Sequence, residues 1–334
     1  MAKKSLAELR IAAYGGGRMG RGIGICFALA GAELLLVDSR PRENWSAWQA
    51  AANEDIGQML AMLAALDLLP AGATELLAAR IRCLPYEEGL AQLADCDLVF
   101  EAVPETEEAK KQAFAQLDAA LPEAAIIAST TSTFLADLVA SWSAHPQRVL
   151  NAHFLNPAFL VPLVEVSPHA GTDSDSLARL TDILEEAGKM PVICKASPGY
   201  IVPRIQALAM NEAARLVEEG VASAEDIDKA VRYGFGLRFA VLGLLEFIDW
   251  GGLDILYYAS AYMQREMQQD RFAAPAIVAE KMQAGETGMS AGKGIYDWQN
   301  SDQDSFKLEK MRQFAEMLKM NGVFKPPVLP DSHS

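Results

Sequence analysis

The feature that most constrains this chain is the run Gly15-Gly16-Gly17-Arg18-Met19-Gly20, in which Gly15, Gly17 and Gly20 fill the pattern G-x-G-x-x-G. Just before it, Leu9-Arg10-Ile11-Ala12-Ala13-Tyr14 reads as a short buried strand. After it come small residues of helical character, then Glu33-Leu34-Leu35-Leu36-Val37-Asp38, a second strand ending in an acid. Strand, glycine turn, helix, strand and terminal acid are, in that order, the layout of a dinucleotide-binding unit. The first glycine admits the tight turn, the second lets backbone approach a diphosphate, and the third lets the helix pack on the strand. The amides at the helix start, around Arg18 and Met19, then face the anion. Asp38, 18 residues beyond Gly20, can accept hydrogen bonds from ribose hydroxyls and repels a 2′-phosphate, so NAD is expected over NADP. Arg40 and Arg42 pull the other way, since arginine is the usual partner of that phosphate.

The rest of the chain extends the same alternation. Residues 43–79 read as a long helix or a helical pair. Strands are expected at 97–102, 125–129 and 149–152, with helices at about 105–121 and 133–144. Such alternation predicts a Rossmann-type, doubly wound parallel sheet. Near Ala196-Ser197-Pro198-Gly199 the character changes. Beyond it the patterns are helical, from Ile201 to Gly220 and again after Ser223-Ala224-Glu225-Asp226, a serine N-cap with an acid at the third position. The expected organisation is an NAD-binding α/β domain over 1–195 and an all-helical domain over 196–334, whose apolar residues suit dimerisation, ending in a loose tail from Lys325.

Composition narrows the partners. With 334 residues, 51% of them hydrophobic, the chain is long enough for two cores. A formal charge of −15 repels nucleic-acid phosphates and anionic lipid, which removes both as partners. It also opposes an anionic substrate such as a coenzyme A ester unless a local basic pocket overrides it. No stretch reaches the ~18 uninterrupted apolar residues of a membrane span, and Met1 to Arg10 has no apolar core of signal-peptide length, so a cytoplasmic location is expected. Cys26, Cys83, Cys96 and Cys194 are scattered, without metal-ligand spacing, and are expected to be free thiols; no metal is expected.

Chemistry points to two residues. His153, one of four histidines, follows a predicted strand in Asn151-Ala152-His153-Phe154-Leu155-Asn156-Pro157, and Glu165 lies twelve residues on in the apolar run Leu163-Val164-Glu165-Val166. A histidine titrates near neutral pH and can take a hydroxyl proton as hydride departs. A partly buried glutamate beside it would orient the ring and offset its charge. On periodicity alone, a structural histidine and a surface carboxylate are the preferred reading of the two residues.

Together with Glu101-Ala102-Val103-Pro104-Glu105, Ser129-Thr130-Thr131-Ser132 and Pro198-Gly199-Tyr200-Ile201-Val202, these segments resemble the L-3-hydroxyacyl-CoA dehydrogenase family, in the family's order, over roughly residues 9 to 298. The resemblance implies reversible, NAD-dependent oxidation of an L-3-hydroxyacyl-CoA to the 3-keto product, a place in fatty acid metabolism, and a helical second domain that builds a homodimer. It implies His153 as general base, Glu165 as its partner and Ser132 as a donor to the substrate hydroxyl. Asn156 shares the histidine's loop and is placed at the substrate, while Glu105 and Lys110 fall at the nicotinamide end of the cofactor site. Without the resemblance, Ser132 and Lys110 read as a helix N-cap and a solvated charge.

The sequence departs from the family in two places. Where the family reads Pro-Gly-Phe-Ile-Val-Asn-Arg, this chain has Pro198-Gly199-Tyr200-Ile201-Val202-Pro203-Arg204, and Pro203 offers neither an amide side chain nor a backbone N–H; Asn156 or Arg204 is then the candidate replacement. No lysine occurs between Lys4 and Lys110, although coenzyme A enzymes of the family offer lysines there. A third segment, Tyr233-Gly234-Phe235-Gly236-Leu237-Arg238-Phe239, resembles the lambda-crystallin, gulonate and carnitine dehydrogenase branch, which acts on free hydroxy acids. Arg238 is thus either a carboxylate clamp or half of a salt bridge with Glu246 or Asp249. Trp250, Tyr257 and Tyr258 are either pocket or dimer core. The alternatives to a thioester dehydrogenase are an enzyme for a small free 3-hydroxy carboxylate and a non-enzymatic, crystallin-like binding protein.

Overall fold

A computed structural model describes residues 4–327; the end of the expected tail lies outside them. The described chain divides into two compact units, with the division at Ala209/Met210.

The first unit opens with the anticipated motif: β1 (Ile11–Tyr14), α1 (Arg18–Leu29) and β2 (Leu34–Val37). The helical segment that follows is a pair, α2 (Trp45–Ala65) and α3 (Ala73–Ala78), broken around Gly72, whose φ of 76° suits glycine. Then come β3 (Ile81–Leu84), α4 (Tyr86–Gln92), β4 (Leu98–Glu101), α5 (Glu107–Ala120) and β5 (Ile126–Ser129). The helix expected over 133–144 shortens to α6 (Ala136–Ala140). After it lie β6 (Val149–Phe154), β7 (Leu163–Ser167), α7 (Ser174–Glu186) and β8 (Met190–Ile193).

The eight strands lie in the order β3-β2-β1-β4-β5-β6-β7-β8. Every pairing is parallel except β6 with β7. The exception has a plain cause. Only residues 155–162 separate those two strands, and a parallel return needs a crossover of roughly a dozen residues or more. The chain therefore reverses on itself, and the register sets His153 directly opposite Glu165.

Alternate strand residues feed two cores. Ile11, Ala13, Leu34, Leu36 and Phe100 pack with α1, α2 and α7 on one face. Ala12, Tyr14, Leu35, Val37 and Val99 pack with α5 and α6 on the other. Burial on both faces is why these strands read as unbroken apolar runs. Each fully buried Leu, Ile or Phe contributes about 1.5–3 kcal/mol.

Helix α8 (Val202–Glu218) spans the division between the units. The second unit continues with α9 (Ala224–Ala230), capped by the Ser223 hydroxyl, which accepts from the Asp226 amide. A wide π turn (Val231–Gly236) leads into α10 (Leu237–Phe239), and α11 (Leu244–Gly251), α12 (Leu253–Met267), α13 (Ala276–Gln283) and α14 (Gln303–Met320) follow. At its centre the buried Asp249 carboxylate accepts from the Ile295 and Tyr296 amides and the Trp298 indole, each at 2.8 Å. No helix among the described residues is long and apolar enough to cross a membrane. Cys26, Cys83 and Cys96 are buried and Cys194 half-buried, and all four are free.

Candidate active site

The first site is the glycine turn between β1 and α1. Gly15 adopts φ 117°, and a Cβ there would sit 2.4 Å from the Ala102 carbonyl oxygen. A Cβ on Gly20 would fall 2.1 Å from the Gly15 carbonyl oxygen, so α1 can reach β1 only over a bare backbone. Gly17 is different: a Cβ there meets no protein atom within 4 Å and would project into a cavity of about 530 Å³. That cavity is lined by Gly15, Gly17, Arg18, Met19, Asp38 and Trp48 among others. A free glycine backbone, a helix N-terminus and an acid at the end of β2 fit the diphosphate and ribose of a dinucleotide.

Asp38 is almost wholly buried and already engaged, with Arg42 Nε at 2.5 Å from its Oδ2 and Nη2 at 3.1 Å from its Oδ1. The Arg42 guanidinium also lies 5.4 Å from the centroid of the Trp48 ring. Arg42, which read as a partner for a 2′-phosphate, is thus a partner of Asp38 in the structure, while Arg40 lines the cavity. Trp48 escaped the sequence reading because nothing in its helical spacing separates it from a core aromatic.

A second cavity, of about 390 Å³, shares Arg18, Met19, Ala102 and Val103 with the first and adds Glu105, Thr130, Ser132, His153, Leu155 and Asn156. Besides the start of α1, three separated segments of the chain thus converge on one cleft. His153 comes from the end of β6, Asn156 from the reversal after it, Ser132 from the loop after β5, and Glu105 from the loop after β4. All lie at the carboxyl ends of strands, where ligands of open α/β sheets bind.

Glu165 lies behind His153, fully buried. Its Oε2 is 2.8 Å from His153 Nδ1. Its Oε1 accepts from the Ile201 and Val202 amides at the start of α8, each at 2.8 Å. A carboxylate supplied with two amides and a helix N-terminus is held as an acceptor. Nδ1 is then the protonated ring nitrogen, which leaves Nε2 as the basic atom of a residue lining the cavity. Pro203 fits the same scheme. The amides of residues 201 and 202 go to Glu165, and that of Arg204 goes to the Gly199 carbonyl. The missing N–H falls in the first helical turn, where no intrahelical partner is required.

Lys110 and Glu105 form a second buried network. Lys110, fully buried, reaches both oxygens of the equally buried Glu101 at 3.1 and 3.0 Å and Glu105 at 3.2 Å. Glu101 also accepts from Ser129 Oγ and the Val103 amide. Glu105 accepts from the Thr131 hydroxyl and from the Ser132 and Thr133 amides. Partial burial pushes the Glu105 carboxyl up, but the Thr131 hydroxyl, the Lys110 ammonium and the Thr133 amide outweigh it and hold it below its usual range. The structure therefore places Lys110 beneath the cleft rather than in its lining, and adds Glu101, the first residue of the segment Glu101-Ala102-Val103-Pro104-Glu105. A buried acid at the carboxyl end of a strand was the available signal.

Arg204 is exposed on the first turn of α8 and lines neither cavity. In the second unit, Arg238 is exposed; its Nε donates to the Gly234 carbonyl, and its guanidinium lies over the Phe247 ring. The salt bridges weighed for it do not form among the described residues. Glu246 pairs with Lys310, and Asp249 is taken up by the amides and the indole of its own unit.

A doubly wound sheet with a dinucleotide turn at one end of β1 and a buried His–Glu pair opening on the same cleft defines an NAD-dependent oxidoreductase. The comparisons make it specific. Residues 10–197 match the model of the 3-hydroxyacyl-CoA dehydrogenase NAD-binding domain, and residues 199–298 that of its C-terminal domain. The chain belongs to the 3-hydroxyacyl-CoA dehydrogenase family, NAD-dependent dehydrogenases that act on CH–OH groups. It is 32% identical to a 3-hydroxybutyryl-CoA dehydrogenase of Mycobacterium tuberculosis, over 86% of this chain and 98% of that one. It is 28% identical to 5-formyl-3-hydroxy-2-methylpyridine 4-carboxylate 5-dehydrogenase of Mesorhizobium japonicum, over 91% and 96%. Among solved structures, a 3-hydroxyacyl-CoA dehydrogenase of Archaeoglobus fulgidus superposes with a TM-score of 0.75 at 31% identity, covering 95% of this chain and all of that one.

Proposed function

We propose that this protein reversibly oxidises an L-3-hydroxyacyl substrate to the 3-keto product, with His153 as the general base. The observation that carries the reading is the hydrogen bond from His153 Nδ1 to the buried Glu165, which leaves Nε2 basic in a cavity shared with Ser132 and Asn156. Bound NAD supplies the hydride acceptor. His153 Nε2 takes the hydroxyl proton, and Ser132 Oγ and the Asn156 side-chain amide hold the substrate oxygen. Glu165 keeps the ring in its tautomer and offsets the imidazolium that forms.

The name of the mycobacterial relative favours a coenzyme A thioester. A second reading, a free hydroxy carboxylate, draws on the absence of lysine between Lys4 and Lys110; the name of the Mesorhizobium relative carries a carboxylate. NADH formation measured with 3-hydroxybutyryl-CoA, free 3-hydroxybutyrate, gulonate and carnitine decides between them. Preferential turnover of the thioester supports the first reading and preferential turnover of a free acid the second. Tight NAD binding without turnover of any of the four sinks both in favour of a crystallin-like binding role.

On the cofactor side, Asp38 receives the adenosine ribose hydroxyls alongside Arg42, since a carboxylate offers about four acceptor sites. Gly15, Gly17, Arg18, Met19 and Gly20 form the diphosphate cradle, and Glu105 faces the nicotinamide end. Asp38→Ala is expected to weaken NADH binding by about tenfold, the loss of one charge-assisted hydrogen bond. It should also narrow the gap to NADPH, because Arg42 is released. Fluorescence titration with both nucleotides checks this, and tighter binding of NADPH than NADH by the unmodified protein would contradict it.

The helical unit is proposed to pair with a second copy about a two-fold axis. Within the run Phe239–Ile248, Val241 and Leu242 are buried in their own chain, but Leu245 is exposed. Helix α12 leaves Ile255, Tyr258 and Tyr262 exposed, and their spacing of three and four puts them on one helix face. Light scattering is expected to give twice the chain mass at micromolar concentration; a monomer there would refute the pairing.

A further inference from the structure

One buried side chain touches both halves of the catalytic constellation without belonging to it. The Tyr200 ring lies flat against the His153 imidazole, with centroids 4.9 Å apart and planes within 8°. Its phenol donates to the Thr131 carbonyl at 2.9 Å and accepts from Asn151 Nδ2 at 3.0 Å. Thr131 immediately precedes Ser132, and Asn151 lies on β6 two residues before His153. The next two amides along the chain, those of Ile201 and Val202, are the ones that hold Glu165.

Tyr200 also adopts φ 46°, the left-handed region that side chains other than glycine seldom enter. A strained conformation persists only where its surroundings over-determine it, and such positions cluster at functional sites. Here the stacked ring and the two phenol hydrogen bonds do the determining. Burial pushes the phenol well up, so it stays protonated and able to donate.

We propose that Tyr200 is a positioning residue that holds the His153 imidazole and the Ser132 loop at a fixed separation, its ring fixing the base and its hydroxyl tethering the loop. The inference rests on the reading of His153 as base. A π face lying on the imidazole also favours the imidazolium formed when the proton is taken. The catalytic pair alone leaves the separation between base and serine free to drift, and a misplacement of about 1 Å can cost roughly 100-fold in rate.

The test uses the full-length protein and whichever of the four substrates it turns over. Tyr200→Phe keeps the ring and removes the tether. It is expected to lower kcat by about 2–10-fold, the effect of one hydrogen bond, with substrate KM and NAD affinity essentially unchanged. Tyr200→Leu removes the ring as well and is expected to lower kcat by roughly 10–100-fold. In a cycle with His153→Ala, the double variant should be no slower than His153→Ala alone, because the separation that Tyr200 fixes matters only while the base is present. Should Tyr200→Leu fail to fold, Tyr200→Phe and its own cycle carry the test. A wild-type kcat for Tyr200→Phe, or losses that multiply in the cycle, overturns the inference. If His153→Ala itself retains turnover, or if none of the four substrates is turned over, the reading of the base falls and takes the inference with it.

Discussion

His153→Ala is expected to cut turnover by ~10²–10⁴-fold, the usual contribution of a positioned general base, while NAD affinity stays close to that of the unmodified protein. The split follows from geometry: His153 lines the cavity it shares with Ser132 and Asn156 and is absent from the lining of the cavity that holds the glycine turn and Asp38. Glu165→Gln should also cost activity. Its amide can still accept from His153 Nδ1, so the ring stays oriented, but the negative charge that offsets the imidazolium is gone. Glu165→Gln further leaves one of its oxygens replaced by an N–H₂ group, which clashes electrostatically with a donor whichever way it turns, since Oε1 faces the amides of Ile201 and Val202 and Oε2 faces His153. Steady-state kinetics with separate NAD titrations measure both effects. Near-normal turnover by His153→Ala on the true substrate means that the pair is structural and the proposed mechanism is wrong.

The second large effect belongs to Lys110. Its ammonium and the Glu101 carboxylate are both fully buried, and Lys110 is the cation that pairs with Glu101 among the described residues. Removing one member of a buried pair leaves an uncompensated charge in a low-dielectric interior and costs about 3–5 kcal/mol, whereas removing both together is far milder. Lys110→Met is therefore expected to lower unfolding stability by about that amount, and Lys110→Met combined with Glu101→Gln to recover most of it. Urea unfolding of the single and double variants checks the prediction. If Lys110→Met instead weakens NAD binding while stability holds, the lysine is a cofactor contact, as the family resemblance implies, rather than a buried counter-ion.

The parts of the molecule differ in how legible they were. The motif from Leu9 to Asp38 could be read directly, because strand, turn and helix are adjacent in sequence and each glycine answers a local steric demand. The strands β4, β5 and β6 were legible for a related reason: burial on both faces writes them as apolar runs. β3 was not, because Arg82 interrupts Ile81-Arg82-Cys83-Leu84 with an exposed cation, and β8 was not, because most of its side chains are exposed. The reversal between β6 and β7 was countable in the eight residues that separate them, yet the run 163–166 read only as apolar and not as a strand. His153 and Glu165 could be paired by resemblance, but periodicity left them indistinguishable from a core histidine and a surface acid.

By itself the sequence determined the dinucleotide turn, the α/β class and the identity of the residue types available for proton transfer, since these depend on local sterics, hydrophobic spacing and side-chain chemistry. Only the tertiary structure decided how they meet. The antiparallel return of β7 sets Glu165 across from His153. The start of α8 fixes Glu165 with two backbone amides, and Tyr200 lies on the imidazole although it is 47 positions further along the chain. Lys110, a solvated charge by its helical context, became a buried counter-ion because Glu101 at the end of β4 faces the same interior. Such contacts join residues distant in the chain. They are fixed by sheet register and packing, which no local pattern of residues encodes.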